Sequence, residues 1–524
     1  MAPDHRRSTS PHLWKRTAIS AVFLAALGWA QLRQAPESGE FTAKLDLVTE
    51  PNMPVRVYLF KNGRPFRLSP VDVMLPLRAD TFYRERLWRR SADASTLEVT
   101  IADQSHFLLL KGKASFELPA GSYRIEAYRG HFFEPFEAEF TLEAGKATPI
   151  VLRMKNWLGE EAKEWLSADD HIHLVRSPED DEVFLQWMEA EDLSVGNFLQ
   201  LQRQIDAAWQ YGFGPKAEAR KAGRSIRSGH ESRSEFFGHV NLLGGREMIR
   251  PLSVGTMYAN SPETFPYPNV LFERGRKVGA TVGFAHFHGS MPHSTLLMDL
   301  ALGSLDFMEV FQFGKLWNAE WYELLNAGLV ATGVAGSDFP VYLSRLAADK
   351  VQSRWLPLLG PERALVRAKA GQSAYEAWAD GVRKRQVVVT NGPLVELRRE
   401  GNRAVARARF YRPLASVEIV ADGKVVASQG GDTDVSAEAE VGNARWIAAR
   451  AVAVKRGDGP EIQAHTNPIV LRSGADPESR AAVARRWEAE VAYYRQAPLV
   501  FPNAAARNEF FAKAEEALRR LQNR

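Results

Sequence analysis

The stretch 169–173 carries side chains well suited to chemistry. It places Asp169, His171 and His173 two residues apart, and alternate side chains of a β-strand leave the same face. Two imidazoles beside a carboxylate make half of a metal site. An isolated His-x-His pair also fits a strand end with solvated histidines, so the rest of the chain must decide between these interpretations.

More potential ligands follow downstream, several of them where apolar runs end. Seven of the twelve histidines fall between positions 171 and 293, a clustering that scattered surface histidines would not show. We interpret His230 and His293 as surface residues. The remaining candidates are Glu231, His239, His286 and Asp338, with His288 in reserve because it shares a strand face with His286. Ordinary loop carboxylates or a core histidine would explain single members of this set.

Composition indicates a globular protein with several domains. The 524 residues are too many for a single core, and 45% hydrophobic with 25% charged residues is ordinary for a soluble protein. The net charge of +4 comes mostly from the first thirty residues, and no basic stripe with interleaved aromatics indicates a nucleic acid partner. With no cysteine, the chain can hold a metal only through His, Asp and Glu.

The first thirty residues have the three parts of a secretory signal. A basic region ends at Lys15 and Arg16, an apolar run follows over 18–30, and Gly28 and Ala30 supply small residues for cleavage. We therefore expect a periplasmic or extracellular protein. An uncleaved N-terminal anchor is the alternative, and no other membrane contact is expected.

Sequence periodicity predicts which elements position the candidate ligands. Residues 41–157 and 394–473 show short alternating runs between turn signals, which predicts a β-sandwich in each. Residues 158–393 alternate apolar strand-like runs with helical patterns, as at 317–326 and 364–385. Such alternation favours a parallel sheet closed into a barrel, with functional residues at the carboxyl ends of its strands.

The last segment, residues 476–524, predicts two helices. Asp476 is the expected N-cap, with Pro477 at the first helical position. An apolar stripe in the first helix predicts packing on the body of the protein rather than on a membrane. That stripe comprises Val483, Trp487, Val491 and Tyr494.

The order of these motifs resembles the polymerase-and-histidinol-phosphatase (PHP) superfamily of metallohydrolases. The similarity runs over about residues 165–393 and joins Asp-x-His-x-His, Glu231 with a later Gly-His-Val, the His286 strand end and Gly-Ser-Asp. The closing Thr390 to Pro393 looks like the carbaryl-hydrolase-like, or CehA/McbA, family. The resemblance implies a distorted (β/α)7 barrel that holds two or three divalent ions.

Carried over position by position, the resemblance implies two sets of ligands. His171, His173, Glu231 and Asp338 would surround one ion, while Glu231, His239 and His286 would hold a second, with Glu231 bridging. Asp169 would support the imidazoles. Two histidines that typically serve a third ion in the family are absent here, one near Asn197 and the other at Pro340. Asn197 is kept as a reserve residue. We therefore expect two ions, and zinc, manganese and iron suit these ligands equally.

These expectations favour an exported hydrolase that uses metal-activated water. The bond would be of ester type, namely a phosphoester, carboxylic ester, amide or carbamate, in a small-molecule or polymer substrate. Glu231 and Asp338 are the residues expected to act at the reacting centre. No Gly-x-Ser-x-Gly elbow or phosphate-binding glycine loop indicates other chemistry. The alternative is a non-catalytic binding or scaffold protein with a degenerate barrel.

Overall fold

The protein is multidomain and rich in β-sheet. The structure, a computed structural model, describes residues 42–66, 68, 88–90, 95–101, 105–202, 207–340, 357–457 and 459–523. The predicted signal, residues 1–30, lies outside the described residues. The described chain forms a first β-sandwich, a central sheet with helices, a second β-sandwich and a pair of C-terminal helices.

The first β-sandwich forms where alternating apolar residues predicted it. Its strands are β1 (Thr42–Glu50), β2 (Pro54–Lys61), β3 (Arg64–Pro65), β4 (Trp88–Arg90), β5 (Thr96–Ile101), β6 (Ser105–Lys111), β7 (Lys113–Pro119), β8 (Gly121–Tyr128), β9 (Phe136–Leu142) and β10 (Ala147–Arg153). One sheet has the order β10-β1-β7 and the other β4-β5-β6-β2-β8-β9, with β3 paired to β2. Leu45, Val57 and Ile125 lie in the shared core.

The central sheet carries the candidate ligands. Its strands are β11 (Trp165–Ile172), β12 (Val195–Gln202), β13 (Ala207–Ala208), β14 (Ala219–Lys221), β15 (Arg224–Ser234), β16 (Val240–Leu243), β17 (Ser253–Val254), β18 (Thr281–Phe284), β19 (Phe307–Gln312), β20 (Lys315–Leu316), β21 (Thr332–Ala335), β22 (Arg363–Arg367) and β23 (Val388–Thr390). Strands β11, β12 and β15 pair in parallel, and so do β18, β19 and β21. Antiparallel β16 joins these two blocks.

The expected (β/α)7 barrel is not confirmed, because the described strands do not close into one. Among the described residues, the end of the sheet after β21 meets β11 through an isolated parallel bridge between Ile172 and Phe339 rather than through a strand pairing. The chain reverses direction between β15 and β16, and β22 adds an antiparallel neighbour to β11. Residues 364–367, the start of the expected helical stretch 364–385, instead belong to β22, with Ala364 and Val366 buried in the core.

Seven helices pack on the described sheets. They are α1 (Asp181–Ala190), α2 (Pro268–Lys277), α3 (Leu296–Leu302), α4 (Asn318–Asn326), α5 (Ala374–Arg383), α6 (Pro477–Gln496) and α7 (Ala504–Gln522). Short 3-10 turns occur at Gly159–Glu164, Pro178–Asp180 and Pro215–Ala217. No helix in these described ranges has the length and apolar character needed to cross a membrane.

The second β-sandwich continues directly from the central sheet. Its strands are β24 (Leu394–Glu400), β25 (Arg403–Arg409), β26 (Leu414–Ala421), β27 (Lys424–Gln429), β28 (Asp434–Glu440), β29 (Trp446–Ala453), β30 (Gln463–Thr466) and β31 (Ile469–Val470). Strands β24, β25 and β28 form one sheet. Strand β30 pairs with β23, so the other sheet is hydrogen-bonded to the central one.

The C-terminal helices pack on the central domain as their apolar stripe predicts. The Asp476 carboxylate accepts the Ser479 backbone N–H, which confirms the N-cap. The four stripe residues Val483, Trp487, Val491 and Tyr494 are all buried. The Tyr494 hydroxyl donates to the Phe236 carbonyl at 3.0 Å. The tail therefore braces the segment that leads into His239.

A buried ion pair attaches the first β-sandwich to the central domain. The Arg56 guanidinium lies 2.8 Å from the carboxylate of Glu191, just after α1, and both side chains are buried. The rings of Phe107 and Trp187 are in contact beside this pair. The sandwich thus shares a charged and aromatic interface with the helix that follows β11.

Candidate metal centre

His171 and His173 meet at the carboxyl end of β11. Their Nε2 atoms lie 2.9 Å apart, as the alternation of a strand predicts. The Nδ1 atom of His171 lies 2.8 Å from Glu309 Oε1, and that of His173 lies 3.2 Å from the carbonyl oxygen of Leu199. Because both partners only accept hydrogen bonds, each Nδ1 carries the proton. When both rings are neutral, the facing Nε2 atoms consequently present two lone pairs to one another, and a proton or a metal ion relieves their repulsion.

Asp169 has a different role from the one that the resemblance implies. The β11 register shifts between Asp169 and Ile172, and the Asp169 carboxylate accepts from backbone N–H groups rather than from an imidazole. It accepts backbone N–H groups from His171 at 3.1 Å, Ser337 at 2.9 Å and Gly360 at 2.8 Å. Asp169 therefore fastens β11 to the loop that carries Asp338.

Two carboxylates face the His171 and His173 lone pairs. Glu231 Oε2 lies 3.2 Å from His173 Nε2 and 3.9 Å from His171 Nε2. Asp338 Oδ1 lies 3.3 and 3.5 Å from the same two nitrogens. Two nitrogen and two oxygen donors thus converge on one point. That donor set suits a divalent transition metal.

The other oxygen of Glu231 faces a second pair of imidazoles. Glu231 Oε1 lies 3.2 Å from His239 Nδ1 and 3.5 Å from His286 Nε2. The Nδ1 atom of His286 lies 2.5 Å from Gln312 Oε1, which leaves its Nε2 lone pair toward the cluster. The structure therefore brings together all six residues predicted as ligands. His171, His173, Glu231, His239, His286 and Asp338 form groups that could hold metal ions.

The cluster contains buried polar atoms that need a positive partner. Glu231 Oε1, Asp338 Oδ1 and both ring nitrogens of His239 are buried and make no hydrogen bond within the described chain. Buried polar groups in native proteins are normally satisfied. A divalent cation would satisfy these convergent oxygens and nitrogens, so these residues fit a metal centre.

The electrostatics of the cluster favour positive charge at the same point. Burial lowers the pKa of His171, but the Glu309 and Asp338 carboxylates outweigh it and hold that pKa well above its usual value. Burial raises the pKa of Glu231, but Arg233 and the neighbouring histidines outweigh it and bring the pKa well below the usual range. Burial lowers the pKa of His239 to about 4. At neutral pH Glu231 is ionised and His239 is neutral, the states that bind metals.

Backbone strain accompanies two of the ligands. His286 and Asp338 adopt φ angles of 52° and 53°, in the left-handed region that non-glycine residues rarely occupy. Each such residue costs on the order of 1–3 kcal/mol. The backbone N–H of His286 donates to Glu309 Oε2 at 2.8 Å and stabilises this turn. His286 and Phe287 belong to the kinked turn His286–Gly289, not to the strand that the apolar run predicts.

Sequence reasoning missed four polar residues that hold the ligands. Glu309 contacts His171, and Asn241 and Gln312 donate to its carboxylate at 3.0 and 3.3 Å. Arg233 donates through Nε to Glu231 Oε2 at 2.7 Å. A signal existed for Glu309, since it is a carboxylate inside the buried strand Phe307–Gln312.

The other histidines and Asn197 lie outside the groups of potential ligands. His288 packs edge-on against Trp317 with ring centroids 5.5 Å apart and belongs to none of the groups found among the described residues. The Asn197 amide lies 3.3 Å from Asp170 Oδ1. His230 is buried, which corrects its interpretation as a surface residue. His293 lies 3.1 Å from Glu490, away from the cluster.

Comparisons with protein-family models, with curated proteins and with solved structures find no match for this chain. The family resemblance of the motifs therefore stays a prediction. Buried His, Asp and Glu groups that could hold a metal are present in the structure.

Proposed function

We propose that this protein is a metal-dependent hydrolase that binds two divalent ions and cleaves an ester-type bond. The observation that carries the proposal is the 2.9 Å approach of two imidazole Nε2 atoms whose Nδ1 protons are already committed. Lone pairs at that distance repel unless a proton or a metal cation lies against them. Glu231 and Asp338 add two carboxylates at the same point.

Each residue of the centre has a distinct task in this proposal. His171, His173 and Asp338 would hold one ion, and His239 and His286 the other, with one oxygen of Glu231 toward each. Arg233 keeps the Glu231 carboxylate ionised and fixes its orientation. When bound, two such ions would activate water and stabilise negative charge on the departing oxygen.

The resemblance to the PHP superfamily and the predicted secretory signal extend this proposal. We propose that the protein is exported and acts in the periplasm or outside the cell, where nitrogen and oxygen ligands tolerate oxidising conditions. Zinc, manganese and iron all suit the donor set. Binding without hydrolysis, in a scaffold that retains the centre, is the competing function.

Metal content and hydrolysis, measured on the same preparations, test the proposal. We expect about two ions per wild-type chain and hydrolysis of at least one among nitrophenyl phosphate, carboxylic ester and carbamate substrates. His173→Gln should lose metal and activity, because it removes a central nitrogen donor. His293→Gln is the matched control, since that imidazole contacts Glu490 outside the cluster.

Two outcomes would count against the proposed function. Wild-type protein that is folded but takes up no divalent ion would contradict the metal centre itself. Protein that binds two ions yet cleaves none of the substrates would favour the scaffold alternative. Circular dichroism spectra of each variant exclude unfolding as the cause of a loss.

A further inference from the structure

We infer that the two halves of the centre have unequal roles, an inference that rests on the proposed function. The closed half comprises His171, His173 and Asp338, and the open half comprises His239 and His286, with Glu231 shared. The closed half holds a tightly bound, slowly exchanging ion. The open half holds a weaker ion that exchanges faster and meets the substrate.

Exposure separates the two halves. The side chains of His171 and His173 are 0% exposed and that of Asp338 is 2% exposed. His239 and His286 retain 6% and 7% exposure. All five side chains are buried, and the difference places the open half nearer to solvent than the closed half. Half-exposed aromatic rings contact these two imidazoles, with Tyr258 edge-on to His239 at 5.2 Å and Phe313 stacked on His286 at 5.9 Å.

The donor sets also differ. The closed half has two imidazoles, the Asp338 carboxylate and one oxygen of Glu231. The open half has two imidazoles and the other Glu231 oxygen. Asp338 also belongs to a group with His171 and His286, but it lies nearer to the closed half, with Oδ1 3.3 Å from His173 Nε2 and Oδ2 3.9 Å from His286 Nε2. Fewer protein ligands and less negative charge weaken cation binding. They also leave a coordination position for substrate, as in catalytic rather than structural metal sites.

Preorganisation adds to the difference. Glu309 and the Leu199 carbonyl fix the tautomers of both imidazoles in the closed half. Neither ring nitrogen of His239 makes a hydrogen bond within the described chain, so no partner outside the centre fixes its tautomer. His286 lies on a kinked turn rather than on a strand. Ordering these groups on binding costs affinity.

Zinc titration of metal-free, full-length protein tests this inference. In competition with a chromophoric chelator, we expect two binding classes that differ at least tenfold in Kd. Chelator added to the loaded protein should remove zinc in two kinetic phases. His239→Gln should abolish the weak class and the fast phase while it preserves one tight ion. His173→Gln should abolish the tight class, and His293→Gln should leave both classes intact.

The results separate this inference from the proposed function. Two equal classes, a single release phase, or loss of the tight class in folded His239→Gln protein would overturn the inference, even in an active hydrolase. Two unequal classes in a protein without hydrolytic activity would support the inference and contradict the function. No zinc binding at all would overturn both.

Discussion

Glu309 holds the centre together without being one of its ligands, and replacing it with glutamine should weaken metal binding. One carboxylate oxygen accepts from His171 and Asn241 at 2.8 and 3.0 Å. The other accepts from the His286 backbone and Gln312 at 2.8 and 3.3 Å. All four partners donate, so a carboxamide cannot satisfy them, because its NH2 group must face two donors.

Either orientation of the new amide damages the centre. With its oxygen toward His171, the NH2 group opposes the His286 N–H and releases the strained turn. With NH2 toward His171, the imidazole must move its proton to Nε2 and lose the lone pair that faces His173. Removing a partner that orients a metal ligand costs about 10- to 100-fold in metal affinity. This equals about 1.4–2.8 kcal/mol of binding free energy.

The measurement is zinc affinity by chelator competition on folded Glu309→Gln protein, with the histidine ring nitrogens followed by 15N NMR. Glu362→Gln is the matched control. It neutralises another buried glutamate, whose pKa burial raises to about 7 and which accepts from the Gly314 N–H at 2.8 Å. Wild-type affinity in Glu309→Gln, or an equal loss in Glu362→Gln, would refute the positioning role.

Three further predictions concern stability. Arg56→Met leaves the buried Glu191 carboxylate without its partner, so urea denaturation should show that the free energy of unfolding falls by about 3–5 kcal/mol. The double variant Arg56→Met/Glu191→Gln should recover part of this loss. A loss below about 1 kcal/mol in the single variant would refute a strong ion pair. Burial raises the pKa of Asp299 from 3.8 to about 6. The native state then holds this proton more tightly than the unfolded chain, so the group destabilises the fold as pH rises from about 4 to 6, by about 3 kcal/mol. In urea titrations, the free energy of unfolding of Asp299→Asn should therefore rise relative to that of wild type by about 3 kcal/mol between pH 4 and pH 7. A difference between the two proteins that does not change with pH would contradict this. Trp487→Ala should cost about 3–5 kcal/mol because the buried indole packs α6 against α7 and donates to Ala514; an unchanged thermal midpoint would show that the tail adds no stability.

The members of the cluster could be singled out from sequence because histidines and carboxylates at the ends of apolar runs have a specific chemistry. His171, His173 and Glu231 stand out by residue type and position, and the structure brings them within a few ångströms. Glu309 could not be assigned in the same way. It meets His171 across 138 residues of sequence, and only the pairing of distant strands shows which carboxylate supports which imidazole.

The sandwiches and the tail were predictable because local periodicity determines which face of an element is buried. Barrel closure was not, because it depends on chain direction. The antiparallel β16 and β22 read locally like any other apolar run. The hydrogen bonding of Asp169 was also hidden, since its partners Ser337 and Gly360 lie far away in the sequence.

The central claim is that two divalent ions bind on either side of Glu231. Crystals of the full-length protein grown with zinc, measured at the zinc absorption edge, test it most directly. We predict two anomalous peaks, one against His171, His173 and Asp338 and the other against His239 and His286. A single peak at the cluster, or peaks only elsewhere on the protein, would contradict the account.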